Sequence, residues 1–246
     1  MKKEIEKLTE ILRESNNIVF FGGAGVSTES GIPDFRSSNG LYNEKLNLNF
    51  TPEQLVSHTF FMDYEEEFFQ FYKTKLVYPE AKPNDAHKAL AILEKMGKLK
   101  AVITQNIDGL HQDAGSQKVY ELHGSVKRNY CMKCGAFYDM KFILSSHGVP
   151  LCTKCGGKVK PDVVLYEEGL NMNILTSAIK AISEADTLII GGTSLVVYPA
   201  ASLVDYFRGK NLVLINKSIT SANRRATLAI HDSIGNILKA AVENLL

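Results

Sequence analysis

The sequence predicts an α/β fold, a parallel sheet covered by helices on both faces, together with a smaller metal-binding insertion. Short apolar stretches typical of buried strands alternate with helical patterns through most of the 246 residues. Two C-x-x-C pairs interrupt this alternation near the middle of the chain. A glycine-rich turn at residues 23–36 follows the first apolar stretch. At this length we expect one large domain, or one domain into which a smaller one is inserted.

The composition gives no sign of a strongly charged partner. The chain carries 28 basic and 27 acidic residues, a formal net charge of +1, so neither nucleic acid nor a membrane surface is expected as a ligand. The N-terminus lacks the apolar core of a signal peptide, and glycines and Pro199 interrupt the longest weakly polar stretch, 187–204. We therefore expect a cytoplasmic location, where paired cysteines indicate a metal site rather than disulfides.

The first elements are a helix, a strand and the glycine-rich turn. Apolar residues at helical spacing predict a helix over 3–15, and the apolar stretch 18–21 predicts the first strand. The turn reads GAGVSTESGIPDFR, and Gly23 and Gly25 let backbone N–H groups approach a phosphate, with a helix N-terminus aimed at its charge. The dinucleotide fingerprint would need a third glycine where this chain has Thr28, so an ordinary glycine-rich turn is the alternative interpretation.

A short helix, a loop and an aromatic helical region are expected next. The helix after the turn should end early, at Gly31 and Pro33. Residues 34–50 have no clear period, and we interpret them as a mobile loop placed to cover a ligand. Residues 52–78 are helical and rich in Phe and Tyr, which favours core packing between short helices over a ligand-binding box.

A polar run follows the second predicted strand. A helix from Asn84 to about Met96 leads to a strand at 99–104, and QNIDGLH then occupies 105–111. Ligands of open parallel sheets bind outside the carboxyl ends of the strands. An amide pair and a carboxylate at that position are therefore well placed to hold a polar ligand.

His123 differs from the other histidines in its placement. A histidine is usually structural, but this one directly follows a short strand at 119–122 and precedes Gly124, on the same rim as residues 105–108. An imidazole accepts a proton near neutral pH, so His123 is the candidate general base. His111 is also expected close to this rim.

The two cysteine pairs predict a structural zinc site. Cys131 and Cys134 form one pair, Cys152 and Cys155 form the other, and 17 residues separate them. This matches the C-x₂-C-x₁₅₋₂₀-C-x₂-C pattern of zinc sites, and four thiolates close a tetrahedral site that leaves no position for a catalytic water. A redox motif and disulfides are the alternatives, which the matching form and spacing of the pairs disfavour.

The C-terminal part continues the alternation of strands and helices. In chain order we expect an extended edge at 163–166, a helix near 171–184, a strand at 187–190, a glycine–serine turn at 191–201, a strand at 212–215 and a closing helix at 234–245. Asn216 and residues 192–194 would then lie at strand ends, on the rim that holds residues 22–28, 105–108 and 123.

With these motifs in order, the chain resembles a sirtuin, an NAD-dependent protein-lysine deacylase. The motifs are GAGVSTESGIPDFR, TQNIDGLH, ELHG, the four-cysteine spacing, GTSLVVYPA and LVLIN, and they cover nearly the whole chain. The resemblance implies a Rossmann-like large domain at about 1–36, 80–123 and 162–246. It implies a small domain made of a helical insertion at about 37–79 and the zinc insertion at about 124–161.

The resemblance also implies an NAD site. On the nicotinamide side, its residues are Ala24 and Thr28 at the phosphate turn, Phe35 and Arg36 on the cofactor loop with Phe35 near the nicotinamide, Gln105 at the ribose, and Asn106, Ile107 and Asp108 at the carboxamide. His123 also belongs to the site. On the other side, Thr193, Ser194 and Asn216 hold the adenosine, and Asp232 lies at the adenine. Within this set, the resemblance makes His123 and Asn106 the catalytic residues, with His123 as general base.

On the substrate side, the resemblance implies an acyl-lysine protein bound as an added strand between the edges near 165–169 and 195–198, against Val164, Tyr166 and Val197. The acetyl group would be removed, with nicotinamide and O-acetyl-ADP-ribose as further products, in a tunnel that excludes water. Mono-ADP-ribosyl transfer, hydride transfer and a non-catalytic binding module are the alternatives. We expect a monomer.

Three departures from the sirtuin pattern stand out. Gly22 replaces a usual threonine, and a Ser-Ser pair at 37–38 replaces a glycine-containing run. Leu165 and Glu167 alter the usual V-F-F-G-E run, and Glu167 adds a charged side chain where glycine is common. The changes at Leu165 and Glu167 bear on how a peptide is bound, and the change at Gly22 mildly loosens the turn.

One further position bears on the acyl group. Members that favour succinyl or malonyl lysine carry Tyr-x-x-Arg in the helical insertion, where this chain has Tyr72 and Lys75. Lysine offers a point charge without the planar fork of arginine, so we expect acetyl to be preferred. A solvated helix position for Lys75 is the alternative.

Overall fold

The computed structural model describes residues 1–36, 40, 41 and 50–246, and these form a parallel sheet, an antiparallel sheet and the helices around them. The strands are β1 (Ile18–Gly22), β2 (Leu99–Thr104), β3 (Val119–Glu121), β4 (Gly124–Cys131), β5 (Phe137–Tyr138), β6 (Val159–Val163), β7 (Thr187–Gly191), β8 (Asn211–Ile215) and β9 (Leu228–Ile230). The α-helices are α1 (Lys2–Glu14), α2 (Pro52–Leu55), α3 (His58–Asp63), α4 (Glu65–Phe71), α5 (Asp85–Lys95), α6 (Leu110–Asp113), α7 (Met140–Ser145), α8 (Met172–Glu184) and α9 (Ile234–Glu243).

The large sheet confirms the predicted α/β architecture. Its strand order is β3-β2-β1-β7-β8-β9, and every neighbouring pair is parallel. Leu8, Leu90 and Leu238 of α1, α5 and α9 pack in the core on one face. Helix α8 and the 3₁₀ segment Ala200–Tyr206 supply the core on the other face. Burial on both faces explains why the strands read as near-continuous apolar runs.

The strand order reverses in the middle of this sheet. From β1 the chain builds outward through β2 and β3, and β7 then starts the other half on the opposite side of β1. The carboxyl ends of β1 and β7 lie side by side at Gly22 and Gly191. This reversal opens the crevice in which ligands of open α/β sheets bind.

The antiparallel sheet and the helical insertion share one core. The sheet has the order β5-β4-β6 and carries α7. Leu55, Phe61 and Phe68 of the helices pack in the same cluster as Ile143 and Val159. The helices between residues 52 and 76 and the antiparallel sheet therefore pack as a single body.

Most aromatic residues of the helical insertion are core residues, as predicted. Phe60, Phe61, Phe68, Phe69, Phe71 and Tyr72 are all buried, whereas Tyr64 is exposed. The Phe61 and Phe68 rings meet edge to face with centroids 5.0 Å apart. The predicted helical stretch is divided into α2, α3, α4 and a π-helical turn, Tyr72–Leu76.

Two sequence-based expectations about strands need correction. We expected an extended edge at 163–166. The structure instead has strand β6, which starts earlier, at Val159, pairs with β4 and ends at Val163. Strand β4 was not expected, because its register with β6 shifts between Ser125 and Asn129 and this breaks the period-2 pattern.

No helix in the described part of the chain is long and apolar enough to cross a bilayer. The Ser-Ser pair at 37–38 and most of the loop expected at 34–50 lie outside the described residues.

Candidate active site

The glycine-rich turn after β1 is built from 3₁₀ turns. We expected a short α-helix after Thr28, but Ala24–Val26 and Thr28–Ser30 each form one 3₁₀ turn, and Gly31, at φ 83°, ends the second. The backbone N–H of Gly25 donates to the Gly192 carbonyl oxygen at 2.8 Å. A Cβ at Gly25 would lie 2.8 Å from the Gly192 Cα, so only glycine allows the two turns to pack together.

Gln105 joins the ends of three strands. Its backbone N–H donates to the Gly22 carbonyl oxygen at 3.0 Å, and its Nε2 donates to Thr193 Oγ1 at 3.1 Å. Thr193 Oγ1 also accepts from the Leu195 N–H at 3.2 Å. The ends of β1, β2 and β7 are thereby brought together.

Asn106 and Asp108 meet at Ser27, which is 1% exposed. Ser27 Oγ donates to Asp108 Oδ2 at 2.6 Å and accepts from Asn106 Nδ2 at 3.0 Å. The other Asp108 oxygen, Oδ1, accepts from the Leu110 N–H at 2.9 Å. Ile107 is half-buried beside them, and its carbonyl oxygen accepts from the Val126 N–H. Ser27, Asn106 and Asp108 thus form one hydrogen-bonded cluster, the Ser27 cluster, with Ile107 beside it.

Ser27 was not among the residues predicted for the site. The sequence places it within the glycine-rich turn at residues 23–36 and gives it no partner. Its contact with Asp108 spans 81 residues of sequence, so no local pattern carries it.

His123 lies two residues after β3, and its ring contacts the backbone of Gln105. His123 Nδ1 is 2.9 Å from the Gln105 carbonyl oxygen. A carbonyl only accepts, so Nδ1 carries the proton and Nε2 is left as a base. Burial lowers the pKa of His123 below its usual value, and the backbone hydrogen bond partly opposes this shift. His123 is therefore neutral at pH 7.

His111, expected close to the rim, lies underneath it. The side chain is 1% exposed, and its ring centroid is 4.7 Å from that of His87 and 6.0 Å from that of Phe20. It does not reach the ligand side of the crevice.

The residues predicted for the adenosine end line the ends of β7, β8 and β9. Thr193 is buried and Ser194 is exposed beside it. The N–H of Asn216 donates to the Ile230 carbonyl oxygen at 3.1 Å, which joins the ends of β8 and β9. Asp232 follows β9, and its Oδ1 accepts from the Ser233 N–H.

The start of the cofactor loop touches the predicted substrate edge. Ala24, Thr28 and Phe35 are half-buried, and Arg36 is exposed. Arg36 Nη2 is 3.4 Å from the hydroxyl oxygen of Tyr166. The two predicted parts of the site, for cofactor and for substrate, therefore meet at this pair.

The substrate edge leaves β6 next to His123. The Val164 N–H donates to the His123 carbonyl oxygen at 3.0 Å, and Tyr166 forms a parallel bridge with Ser57. Val164 is half-buried and Tyr166 is exposed. Val197 is half-buried in the turn after β7.

Comparison with known proteins agrees with this geometry. The model of the Sir2 family matches residues 23–199. The chain belongs to the Sir2, or sirtuin, family. It is 72% identical over 244 residues to an NAD-dependent protein deacetylase of Clostridium perfringens, covering 99% of this chain and 100% of the relative. A relative of the same description in Clostridium acetobutylicum is 60% identical over 240 residues, 97% of this chain and 98% of the relative.

Solved sirtuin structures share the fold. A Sir2 complex with a p53 peptide and NAD⁺ is 40% identical, with a TM-score of 0.85 and 98% of each chain covered. A Sir2 variant with a deacetylated p53 peptide and 3′-O-acetyl ADP-ribose is also 40% identical, with a TM-score of 0.89 and 98% of each chain covered.

The sirtuin's four cysteines fit a zinc ion. The Sγ atoms of Cys131, Cys134, Cys152 and Cys155 all lie within 4.8 Å of one another, and two of the pairs are 3.4 and 3.6 Å apart. Tetrahedral zinc with bonds of about 2.3 Å needs sulfur atoms about 3.8 Å apart. The N–H groups of Lys133 and Lys154 point to the sulfurs of their knuckles, which suits thiolates. The predicted cluster is confirmed.

Gly22 differs from the usual sirtuin threonine, and its surroundings explain why. A Cβ at this position would lie 2.5 Å from Cε1 of the Phe20 ring and 3.1 Å from Cγ2 of Val26. The ring of Phe20 occupies the space of the missing side chain, and glycine therefore keeps the turn without a clash.

Tyr72 is buried in the core of the helical insertion. Its ring stacks on Phe68 with centroids 5.9 Å apart, and its hydroxyl has no hydrogen-bond partner within the described residues. Lys75 is half-buried and takes part in an interaction of its own. The preference for acetyl over succinyl stays a prediction.

Proposed function

We propose that this protein is an NAD-dependent protein-lysine deacetylase, which releases nicotinamide and O-acetyl-ADP-ribose as it removes acetyl groups. The observation that carries the proposal is the geometry around Gln105 and Asn106. His123 Nδ1 lies 2.9 Å from the Gln105 carbonyl oxygen, and the next residue, Asn106, belongs to a hydrogen-bonded cluster with Ser27 and Asp108. The high identity to NAD-dependent protein deacetylases supports the same activity.

The crevice fits NAD because it offers a different chemistry at each end. The packed turns at Gly25 and Gly192 leave no side chain between them and suit a pyrophosphate. The predicted residues Ala24 and Thr28 line the phosphate turn, and Gln105 approaches the nicotinamide ribose. Phe35 and Arg36 lie on the cofactor loop, with Phe35 near the nicotinamide. Thr193, Ser194, Asn216 and Asp232 hold the adenosine half. NAD supplies the ribose that takes the acetyl group once nicotinamide has left.

The Ser27 cluster recognises the nicotinamide carboxamide. Ser27 and the Leu110 N–H each hold one oxygen of Asp108, so the carboxylate has a fixed orientation. Its remaining lone pairs accept from an amide NH₂ group, and Asn106 and Ile107 complete the pocket. Fixed acceptors of this kind bind one orientation of the ring.

His123 is the general base. Its Nδ1–H is committed to the Gln105 carbonyl oxygen, so Nε2 accepts a proton from a ribose hydroxyl. Burial keeps the ring neutral and ready to accept. Val164 and Tyr166, which follow directly from the strand beside His123, line the tunnel for acyl-lysine and exclude water from it.

The substrate protein binds as an extended strand between the loop after β6 and the turn that contains Val197. The clustered thiolates hold a structural zinc, which stabilises the small domain at about 37–79 and 124–161. This small domain packs on a Rossmann-like domain at about 1–36, 80–123 and 162–246. We further propose a cytoplasmic monomer that acts on proteins rather than on nucleic acid or membranes.

Nicotinamide release with and without an acetyl-lysine peptide tests this function. We expect release to depend on the peptide, and to fall about 10²- to 10⁴-fold in His123→Ala because a general base is lost. His147 is exposed on the zinc insertion, so His147→Ala is the matched control and should keep full activity.

Other outcomes would point elsewhere. Release without peptide, together with label from NAD on an acceptor protein, would indicate mono-ADP-ribosyl transfer. The absence of release with every acyl peptide would contradict the deacetylase assignment.

A further inference from the structure

Glu167 has a backbone conformation that is unusual for a residue with a side chain. Its φ is 77°, in the left-handed region that favours glycine. The residue stands in the loop that follows β6, where the sequence departs from the glycine common in sirtuins. Some interaction must therefore hold glutamate in this conformation.

The carboxylate of Glu167 makes that interaction with helix α3. Oε2 accepts from the Thr59 N–H at 2.8 Å and from Thr59 Oγ1 at 2.7 Å. These two hydrogen bonds hold the pKa of Glu167 below its usual value. Hydrogen bonds to an ionised acceptor are stronger than neutral ones, so Glu167 ties the loop to the helical insertion.

The backbone of the loop pairs on the N-terminal side of the residue tied in this way and is open at that residue. The N–H and C=O of Tyr166 pair with Val56 and His58, and those of Leu165 both bond to Glu168. In the described part of the chain, the N–H and C=O of Glu167 have no hydrogen-bond partner. They are therefore free to pair with an added strand.

The other side of the loop is held by Glu168. Its Oε1 is 2.9 Å from His58 Nδ1, and its Oε2 is 3.2 Å from Lys160 Nζ. One carboxylate thus fixes the loop to β6 and to the start of α3, and the next one fixes it to Thr59. Residue 167 lies between two anchored points.

We propose that Glu167 is a positioning residue for the acyl-lysine peptide: its side chain holds the open N–H and C=O of residue 167 in the direction that pairs with the substrate. This inference rests on the proposed deacetylase function. The carboxylate is directed to Thr59, so its role is not to attract basic residues of the substrate. The hydrogen bonds from Thr59 to the Glu167 side chain compensate for the absence of the glycine that would favour this φ.

Three substitutions at this position separate the tether from the charge. Glu167→Gln keeps an acceptor for Thr59 and should leave the peptide KM within about twofold of wild type. Glu167→Gly loses the tether but tolerates the left-handed φ, and Glu167→Ala loses the tether and disfavours that φ. We expect the KM to rise about threefold in the glycine variant and about tenfold in the alanine variant, with kcat and the KM for NAD unchanged.

Two further variants serve as controls. Thr59→Val keeps the N–H and removes the hydroxyl, so it should raise the KM slightly in wild type and have no effect in the Glu167→Ala background. Glu53 is exposed on α2, and Glu53→Gln should change nothing. A glutamine variant as impaired as the alanine variant would show that the charge matters, and an unchanged KM in all three would overturn the proposal.

Hydrogen exchange gives a readout that does not need turnover. Amides of residues 164–168 should exchange faster in Glu167→Ala than in Glu167→Gln, with the rest of the chain unchanged. Equal exchange would show that the tether does not order the loop. If neither wild type nor any variant removed acetyl groups, the proposed deacetylase function would be contradicted. The hydrogen-exchange data would still test whether the Glu167–Thr59 hydrogen bonds order the loop.

Discussion

The proposed role of His123 as general base rests on one backbone carbonyl and on burial. The Gln105 carbonyl oxygen fixes which ring nitrogen carries the proton, and the surrounding protein disfavours the charged ring. The same residue, Gln105, binds the end of β1 and Thr193. The orientation of the proposed base is therefore tied to the strand ends that are proposed to hold NAD.

The pH dependence of the reaction should show this burial. Below its pKa, His123 is protonated and no longer accepts a proton, so kcat/KM should fall on the acid side. Because the pKa is lowered, the midpoint of that fall should lie below about 6.5, the usual value for histidine. A peptide without titratable side chains would isolate the enzyme's own groups. A midpoint at or above 6.5 would contradict a neutral, desolvated base.

At the scale of elements, the zinc insertion depends on its neighbours and on its metal. Strand β5 has two residues, and the buried residues of β4 and β6 pack mainly on the aromatic cluster of the helical insertion. Zinc binding to such small modules contributes about 10–16 kcal/mol, as much as the total stability of a typical domain. The metal therefore decides whether this cluster is covered.

Removal of zinc should uncover that cluster. We expect a strong chelator, or Cys152→Ser, to increase binding of a hydrophobic dye, to open residues 124–163 to proteases and to abolish activity. Lys154→Ala is the matched control, because it changes the same knuckle and keeps all four thiolates. Readdition of Zn²⁺ should restore the chelated protein. A protein that kept its protease resistance without metal would show that the cluster is stable alone.

At the scale of the whole molecule, an ion network joins the two sheets, and helices α5 and α6 carry a buried histidine pair. Arg128 on β4 binds Glu121 on β3 at 2.6 Å and Asp162 on β6 at 2.8 Å. Below the site, burial lowers the pKa of His87 to about 4, although Asp108, Glu29 and Asp113 oppose the shift. Burial and the neighbouring His87 lower the pKa of His111 to about 3.

This pair should make the fold sensitive to acid. Above pH 6.5 both histidines are neutral in the folded and the unfolded chain, so their titration does not change the free energy of unfolding. As the pH falls from 6.5 towards 4, the unfolded chain takes up protons that the folded chain does not, and stability falls by about 1.4 kcal/mol per pH unit for each histidine. Denaturant unfolding at a series of pH values measures this effect. The free energy of unfolding of His111→Leu should fall less steeply with decreasing pH than that of wild type, by the equivalent of about one proton. His147→Leu, at an exposed site, should keep the wild-type slope.

The sequence predicted the parts of the fold whose signals are local. Continuous apolar runs located β1, β2, β7 and β8, because strands buried on both faces need apolar residues at every position. Cysteine spacing located the metal cluster. Strand β9 has three residues and β4 contains a register shift, so neither has a readable period. Ser27 and the Glu167–Thr59 contact depend on tertiary structure, and no local pattern reveals them.

The core shared by the two insertions has a consequence for synthesis of the protein. Phe61, Phe68 and Tyr72 leave the ribosome well before β4 and β6, the strands that cover them. At a synthesis rate of about 5–20 residues per second, β4 and β6 are made on the order of ten seconds after the helical insertion. During that interval a row of aromatic rings is exposed on the nascent chain, which makes this segment a natural target for chaperones.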